Sequence, residues 1–491
     1  MLRLSYLPPL MVYVAFGVQG LTGIVGTFFV KEYLDLSAEF LAALGFWVII
    51  PWALKMPIGH IVDLVWRWKA ALVWLGAAML AASLGIMLGL ISHTAAMRGV
   101  LSAEHWFVLS ALLGPTGYML QDVVADAMTV EAVPRADAQG KPYDERTLKS
   151  MHTTMQTLGR VAVIGGFTLV ALVNVFLFHD TESLPRERKA ELYATIYTIA
   201  FVIPVLSVLG VVLHRFLAHE RGAVEKTLPN WWILGGSLAF VAVTLALSLG
   251  QVRFGQELIF LASLAIVIFL LWRLARELAP EAREVLLATA VIIFIYRAMP
   301  GTGAGSTWWM IDVLKFDEAF LSKLALLAYA LTLAAMFGLR RFMAGNSIAV
   351  ILVILTLAGG LLALPNIGMA YGLHEWTAAR TGGVVDARFI ALIDTALESP
   401  LGQISLIPML AWVANSAPAH LKATYFAVMG SFSNLALSAS SLGTKYLNQV
   451  FTVTRGGYGE IGELMIAAAL IGVAVPLLAV AGVRLLRLRT A

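Results

Sequence analysis

Long apolar runs recur along the chain, parted by short segments that hold most of its charge. A helix that crosses a bilayer needs about 20 predominantly apolar residues. Runs of that kind fall at 8–30, 38–58, 70–91, 103–130, 149–178 and 190–217. A pair follows at 231–249 and 258–278, then six more at 284–314, 318–339, 347–367, 387–414, 421–447 and 461–483, about 14 spans in all. The run at 284–314 stands apart. It carries Arg297 near its middle, followed by Pro300, Gly301, Gly303 and Gly305. A guanidinium at mid-depth costs at least ~2.5 kcal/mol, so it should face a protein interior or a watery cavity. Proline and glycine loosen the helix beside it, and irregular backbone at that depth survives only where it lines a cavity or packs on protein. This segment is therefore expected to form one wall of a solute pathway.

Composition fixes the class around that segment. Of 491 residues, 60% are hydrophobic and 13% charged, and the mean hydropathy is +0.84. A soluble protein so composed could not cover itself with polar surface, so an integral, multi-pass, all-α membrane protein is expected. There is no cysteine, hence no disulfide and no thiolate metal site. The N-terminal stretch has Arg3 and no small-residue cleavage site, which points to an uncleaved first span. The net charge of +4 reflects where lysine and arginine fall between the spans and is no sign of nucleic-acid binding. With the N-terminus inside, one side collects Arg67, Lys69, Arg135, Lys141, Arg146, Arg215, Arg273, Arg276, Arg283, Arg340, Arg341 and Arg484. The other side holds fewer, among them Arg98, Arg186, Lys189, Arg380 and Arg455, so both termini are expected to be cytoplasmic.

An internal repeat divides the chain. Leu34-Asp35-Leu36-Ser37-Ala38-Glu39-Phe40-Leu41 is echoed by Leu314-Lys315-Phe316-Asp317-Glu318-Ala319-Phe320-Leu321, and the same offset lays Phe28 and Phe29 over Trp308 and Trp309. Parallel repeats of six helices are the mark of a two-bundle transporter; the alternative is that two membrane-interface segments share aromatics and leucine by composition. The expected domains are an N-terminal six-helix bundle over 1–218, a linker with an inserted hairpin over 219–283, and a C-terminal six-helix bundle over 284–491. Between spans 2 and 3, Gly59, Asp63, Arg67 and Lys69 resemble the G-x-x-x-D-x-x-x-R/K signature of the major facilitator superfamily. There Gly59 permits close helix approach, and Asp63 can hold or release a neighbouring helix end as the conformation changes. The alternative for these residues is an ordinary solvated turn.

Further blocks sharpen the likeness. Gln19-Gly20, the run from Pro51 to Asp63, Gln121 to Glu131, Pro300, Asp394 with Glu398, Ile407 to Leu410, and Ala417-Pro418 through Asn434 together resemble the folate-biopterin transporters of that superfamily. The chain departs from that pattern at Val62, Ala417 and Lys422. The resemblance implies secondary transport of a folate or pteridine, with protons as the coupling ion. It also implies a major-facilitator-type fold of two six-helix bundles, here with an extra two-helix hairpin between them.

Charged residues inside the spans are the candidate site. Asp122 and Asp126 lie one helical turn apart, about 12 Å or less from the cytoplasmic end, and Arg160 lies roughly 16 Å from the same side. Asp394 and Glu398 repeat the spacing, with Glu398 about 24 Å deep against about 20 Å for Arg297. Two roles compete. Asp122 with Arg160 and Glu398 with Arg297 could be ion pairs that fix helix packing. Alternatively Arg297 and Arg160 bind an anionic substrate while Glu398, Asp394, Asp122 and Asp126 carry protons. Tyr118 and Trp308 could stack on a flat heterocycle, although tryptophan near a span end also serves as an interface anchor. Gly114-Pro115-Thr116-Gly117 and Ser399-Pro400-Leu401-Gly402 place helix breakers beside both carboxylate pairs.

Other chemistry is excluded. His60, His152 and His374 lack metal-ligand spacing, no phosphate-cradling glycine loop is present, and no nucleophile-base arrangement stands out, which argues against a metal site, a cofactor, an ATP-driven pump or an enzyme. The expected partners are a small organic anion, protons and the lipid bilayer of a plasma or bacterial inner membrane, with the protein a monomer. Two alternatives remain at the level of sequence: transport of another solute, muropeptide-like or siderophore-like, and a non-transporting membrane assembly factor of the same fold.

Overall fold

The computed structural model describes residues 4–34, 36–53, 58, 61–62, 65, 68–133, 140–141, 143–178, 185–217, 231–232, 234–236, 239, 243, 253–276, 278–339, 342, 346–401, 422–486, 488 and 490. Among them the only β-type pairing is an isolated bridge between Thr454 and Gly457. The helices are α1 (Leu7–Val18), α2 (Gly23–Tyr33), α3 (Ala38–Ala53), α4 (Lys69–Ser92), α5 (Ala103–Ala132), α6 (Glu145–Leu177), α7 (Arg186–Ala200) and α8 (Val202–Leu217). They continue with α9 (Gly255–Ala275), α10 (Pro280–Arg297), α11 (Ala304–Asp312), α12 (Glu318–Gly338), α13 (Ile348–Ala370), α14 (Leu373–Arg380), α15 (Ala387–Glu398), α16 (Lys422–Val450) and α17 (Ile461–Leu485). Among the described residues nine helical stretches are long and apolar enough to cross a membrane. The expected run at 284–314 is not one of them, because its helix stops at Arg297 and restarts at Ala304.

Helix starts follow from side chains that satisfy the first free N–H groups. Ser102 caps α5, Asp144 caps α6, Ser347 caps α13 and Asp386 caps α15, each accepting from the backbone N–H three residues on. The spans carry large apolar side chains outward, among them Leu209 (50% exposed), Leu361 (67%), Leu470 (64%) and Leu478 (70%). Water would penalise that surface at about 25 cal/mol per Å², whereas lipid does not.

The repeat read in the sequence is carried into the helix boundaries. Ala38 and Glu318, 280 residues apart, open α3 and α12. At the same offset Gly23 opens α2, and Gly303 is the cap from which α11 starts. Phe28, Phe29, Trp308 and Trp309 are all buried, as are Leu34 and Leu314. α4 and α13 keep the register to within two residues at either end.

Contacts divide the chain into two compact units. The first comprises Met1–Leu34, Pro57–Asn230 and Glu318–Tyr329. In it α1 packs on α5, α6 and α8, and α4 packs on α5, α7 and α8. Gly17 of α1 and Gly166 of α6 let their backbones meet: a Cβ on Gly17 would fall 2.2 Å from the Val163 carbonyl oxygen and 2.8 Å from Gly166 Cα. The second unit comprises Asp35–Met56, Trp231–Asp317 and Ala330–Ala491. α16 is its spine, in contact with α3, α9, α10 and α17, while α13 packs on α15 and α17. Two of the sequence blocks that carried the resemblance meet here, since Asn434 Nδ2 donates to the Trp52 carbonyl at 3.0 Å.

Candidate functional site

Within the first unit, three helices present polar groups to one place. The α5 span brings Asp122 and Asp126 inward, and the Tyr13 hydroxyl of α1 donates to Asp126 Oδ1 at 2.6 Å. Asp122 and Arg160 lie close enough to Tyr13 to act on it electrostatically. Arg160, on α6, is exposed and forms no ion pair among the described residues. The carboxylates thus gather around a tyrosine, and the Asp122–Arg160 pair that the sequence allowed is not formed. Tyr118, one turn before Asp122 on α5, is buried and meets Phe16 edge-on at 5.8 Å.

In the second unit, Arg297 is the last residue of α10, immediately before the break. It is half-buried, and its Nε donates to the Ser433 carbonyl at 3.3 Å. No carboxylate pairs with it among the described residues. The break itself is held by a polar stripe on α16. Ser440 Oγ donates to the Met299 carbonyl at 2.6 Å, Gly301 N–H donates to Thr444 Oγ1 at 2.9 Å, and Asn448 Nδ2 donates to the Thr302 carbonyl at 3.3 Å. Ser440, Thr444 and Asn448 follow one another at a spacing of four, which keeps them on one face of α16. They replace the helical partners that Pro300 and the non-helical backbone at Gly303 remove.

Asp394 and Glu398 have different surroundings one turn apart. Asp394 is 8% exposed; its Oδ2 accepts from Asn366 Nδ2 at 2.7 Å, while Oδ1 is buried with no hydrogen-bond partner among the described residues. Glu398 closes α15 and is exposed, with no ion pair to Arg297. Trp308 is 1% exposed and lies beneath the Arg455 guanidinium, 5.0 Å from its ring centre. Gly59, Asp63, Arg67 and Gly402, together with most of the first hairpin span, lie outside the described residues.

The sequence did not single out Tyr13, Asn366 or the α16 stripe. Asn366 carried a legible signal, being an amide next to Pro365 in an otherwise apolar run, and so did the four-residue recurrence Ser440, Thr444, Asn448. Tyr13 carried none, because one more aromatic in a span is indistinguishable from packing.

Residues 258–483 match the BT1 family. Over 434 residues the chain is 24% identical to a folate-biopterin transporter of Synechocystis sp. (strain ATCC 27184 / PCC 6803 / Kazusa), covering 87% of this chain and 71% of that one. Among solved structures, a POT family transporter in complex with 5-aminolevulinic acid is similar with a TM-score of 0.67 and 13% identity, over 97% of this chain and 95% of that one. The nucleoside transporter NupG is similar with a TM-score of 0.55 and 14% identity, over 98% and 99%. Fold and matches define the class: an integral, multi-pass, all-helical membrane protein with a fold of major-facilitator type, similar in sequence and in structure to transporters. Within that class the likeness to folate-biopterin transporters first met in the sequence is shown, by the BT1 match in the second half and by a relative that spans most of the chain.

Proposed function

We propose that the chain is a secondary active transporter that works by alternating access, couples to protons in symport, and moves an organic anion of folate or pteridine type. Arg297 carries the reading. It is a cation placed in a span, beside a backbone break, with a single carbonyl as partner and no carboxylate to neutralise it among the described residues. Such a group is costly in a membrane unless a ligand or water meets it. Arg160 offers a second cation and Tyr118 a ring face. Trp308 is left out of the ligand set, because Arg455 already covers its face. Asp394, Glu398, Asp122 and Asp126 are the proton carriers in this reading. The chain is taken as two six-helix bundles, 1–218 and 284–491, around a hairpin within 219–283, monomeric, in a plasma or bacterial inner membrane with both termini in the cytoplasm.

The experiment is uptake of labelled folic acid into proteoliposomes under an imposed pH gradient. Wild-type protein should give saturable uptake that collapses when the gradient is dissipated. Arg297→Gln should reduce it at least tenfold, and Glu398→Gln should uncouple it from pH. Absence of saturable uptake with folates and pterins alike sinks the proposal and favours an assembly role.

A further inference from the structure

Four rings from four helices converge in the first unit. Phe16 of α1 meets Tyr118 of α5 edge-on at 5.8 Å and 87°, and Phe167 of α6 at 6.4 Å and 71°. Phe167 in turn stacks on Tyr329 of α12, with centroids 5.2 Å apart and planes at 17°. The cluster is positioned by backbone, since Phe16 and Phe167 are the chain neighbours of Gly17 and Gly166, where α1 and α6 touch. Phe167 and Tyr329 are only partly buried, and the stack between them is held by ring contact rather than by hydrogen bonds. The Tyr118 hydroxyl makes no hydrogen bond among the described residues.

The same helix faces carry the ionic groups. Tyr13 lies three residues before Phe16 on α1, Asp122 four residues after Tyr118 on α5, and Arg160 seven residues before Phe167 on α6. Seven residues are two turns, which return to the same face about 10 Å along the axis. Aromatic and ionic groups therefore form two tiers on one wall.

We propose that Phe16, Tyr118, Phe167 and Tyr329 are the ring-binding tier of an elongated site whose other end is Arg160. The ligand is a flat nitrogen heteroaromatic bearing an anionic group about 10 Å from the ring. The ring enters the Phe167–Tyr329 stack, where offset stacking with either face replaces their contact with each other. The Tyr118 hydroxyl donates to a ring nitrogen, and the Arg160 guanidinium takes the carboxylate. This deepens the function proposed above and rests on it.

The test is calorimetric binding to the full-length protein purified in detergent, with pterin as a ring alone and pteroate as the same ring joined by a short linker to a benzoate. Phe167→Leu and Tyr329→Leu should weaken both ligands by about 3- to 10-fold. Tyr329→Phe and Phe167→Tyr keep the ring face and should bind as wild type. Arg160→Gln should weaken pteroate and leave pterin unchanged. Wild-type binding with leucine variants unaffected, or with Tyr329→Phe as damaging as Tyr329→Leu, overturns the ring tier alone. If wild type binds neither compound, the pteridine reading above falls with it. Monodisperse elution of each variant on size exclusion separates loss of ligand from loss of fold.

Discussion

Asp394 shows what one side chain can imply in a membrane span. One of its oxygens is held by Asn366 and the other is buried without a donor, so its ionised form is poorly supported and depends heavily on that single amide. Asn366→Leu should therefore destabilise the protein by about 1–3 kcal/mol, read as a lower thermal midpoint in detergent, whereas Asn366→Asp paired with Asp394→Asn should restore a donor and recover most of it. Tyr458, in the loop between α16 and α17, allows a test outside the membrane. Its hydroxyl donates to Asp312 Oδ2, and burial, followed by that carboxylate, pushes its pKa up to about 12. A tyrosine so raised stabilises the fold fully below its ordinary value of about 10 and loses that contribution as pH climbs through about 12. Tyr458→Phe should then leave tyrosinate absorbance unchanged at roughly pH 10 and lower it only at higher pH; a difference already open at pH 10 means the contact is not formed. Single charges inside apolar runs were legible in the sequence because their cost marks them out. The pairings were not, since Tyr13 lies 113 residues from Asp126 and Asn366, though visible as an amide in an apolar run, sits in a different span from Asp394, and only the fold shows which side chains face each other.

At the scale of elements, the break between α10 and α11 is the feature best foretold by the chain. Pro300 and the glycines around it predict loosening, and the backbone does turn there, with Gly303 at φ 73° and ψ −165°. That region is essentially reserved for glycine, and a Cβ at Gly303 would also sit 3.1 Å from both Asn448 Nδ2 and Thr444 Cγ2. Gly303→Ala should cost roughly 1–3 kcal/mol and lower the thermal midpoint by several degrees. Asn448→Leu should act on the same break from the other side by leaving the Thr302 carbonyl without that donor. If the break serves transport, both variants should reduce uptake at expression levels matched to wild type; variants that lose stability and keep full uptake would make the break purely architectural. What the sequence did not reveal was the support. An i, i+4, i+8 series of Ser440, Thr444 and Asn448 is visible once sought, but periodicity alone cannot say which backbone it faces.

For the whole molecule, the fold class followed from physics that leaves little choice: a chain this apolar must bury its backbone polar groups in helices and turn its leucines to lipid. The 280-residue echo was legible as a few matching residues, and it persists as matching helix starts at Ala38 and Glu318 with buried aromatics at the same offset. Substrate and coupling ion were less legible, as they depend on how separate spans face one another. They can be addressed together through linkage. A ligand present at 100 times its Kd stabilises the native protein by about 2.7 kcal/mol, so folic acid, pteroate and unrelated organic anions can be ranked by thermal shift on the purified chain. If a proton binds along with the ligand, the two affinities are reciprocal, and log Kd should rise with pH with a slope approaching one for one proton taken up. Measured across the range in which the wild type stays folded, the slope should persist in Asp122→Asn if the second unit carries the proton and vanish in Asp394→Asn or Glu398→Gln. A flat line in the wild type would remove proton coupling from the binding step, leaving the anion to move down its own gradient.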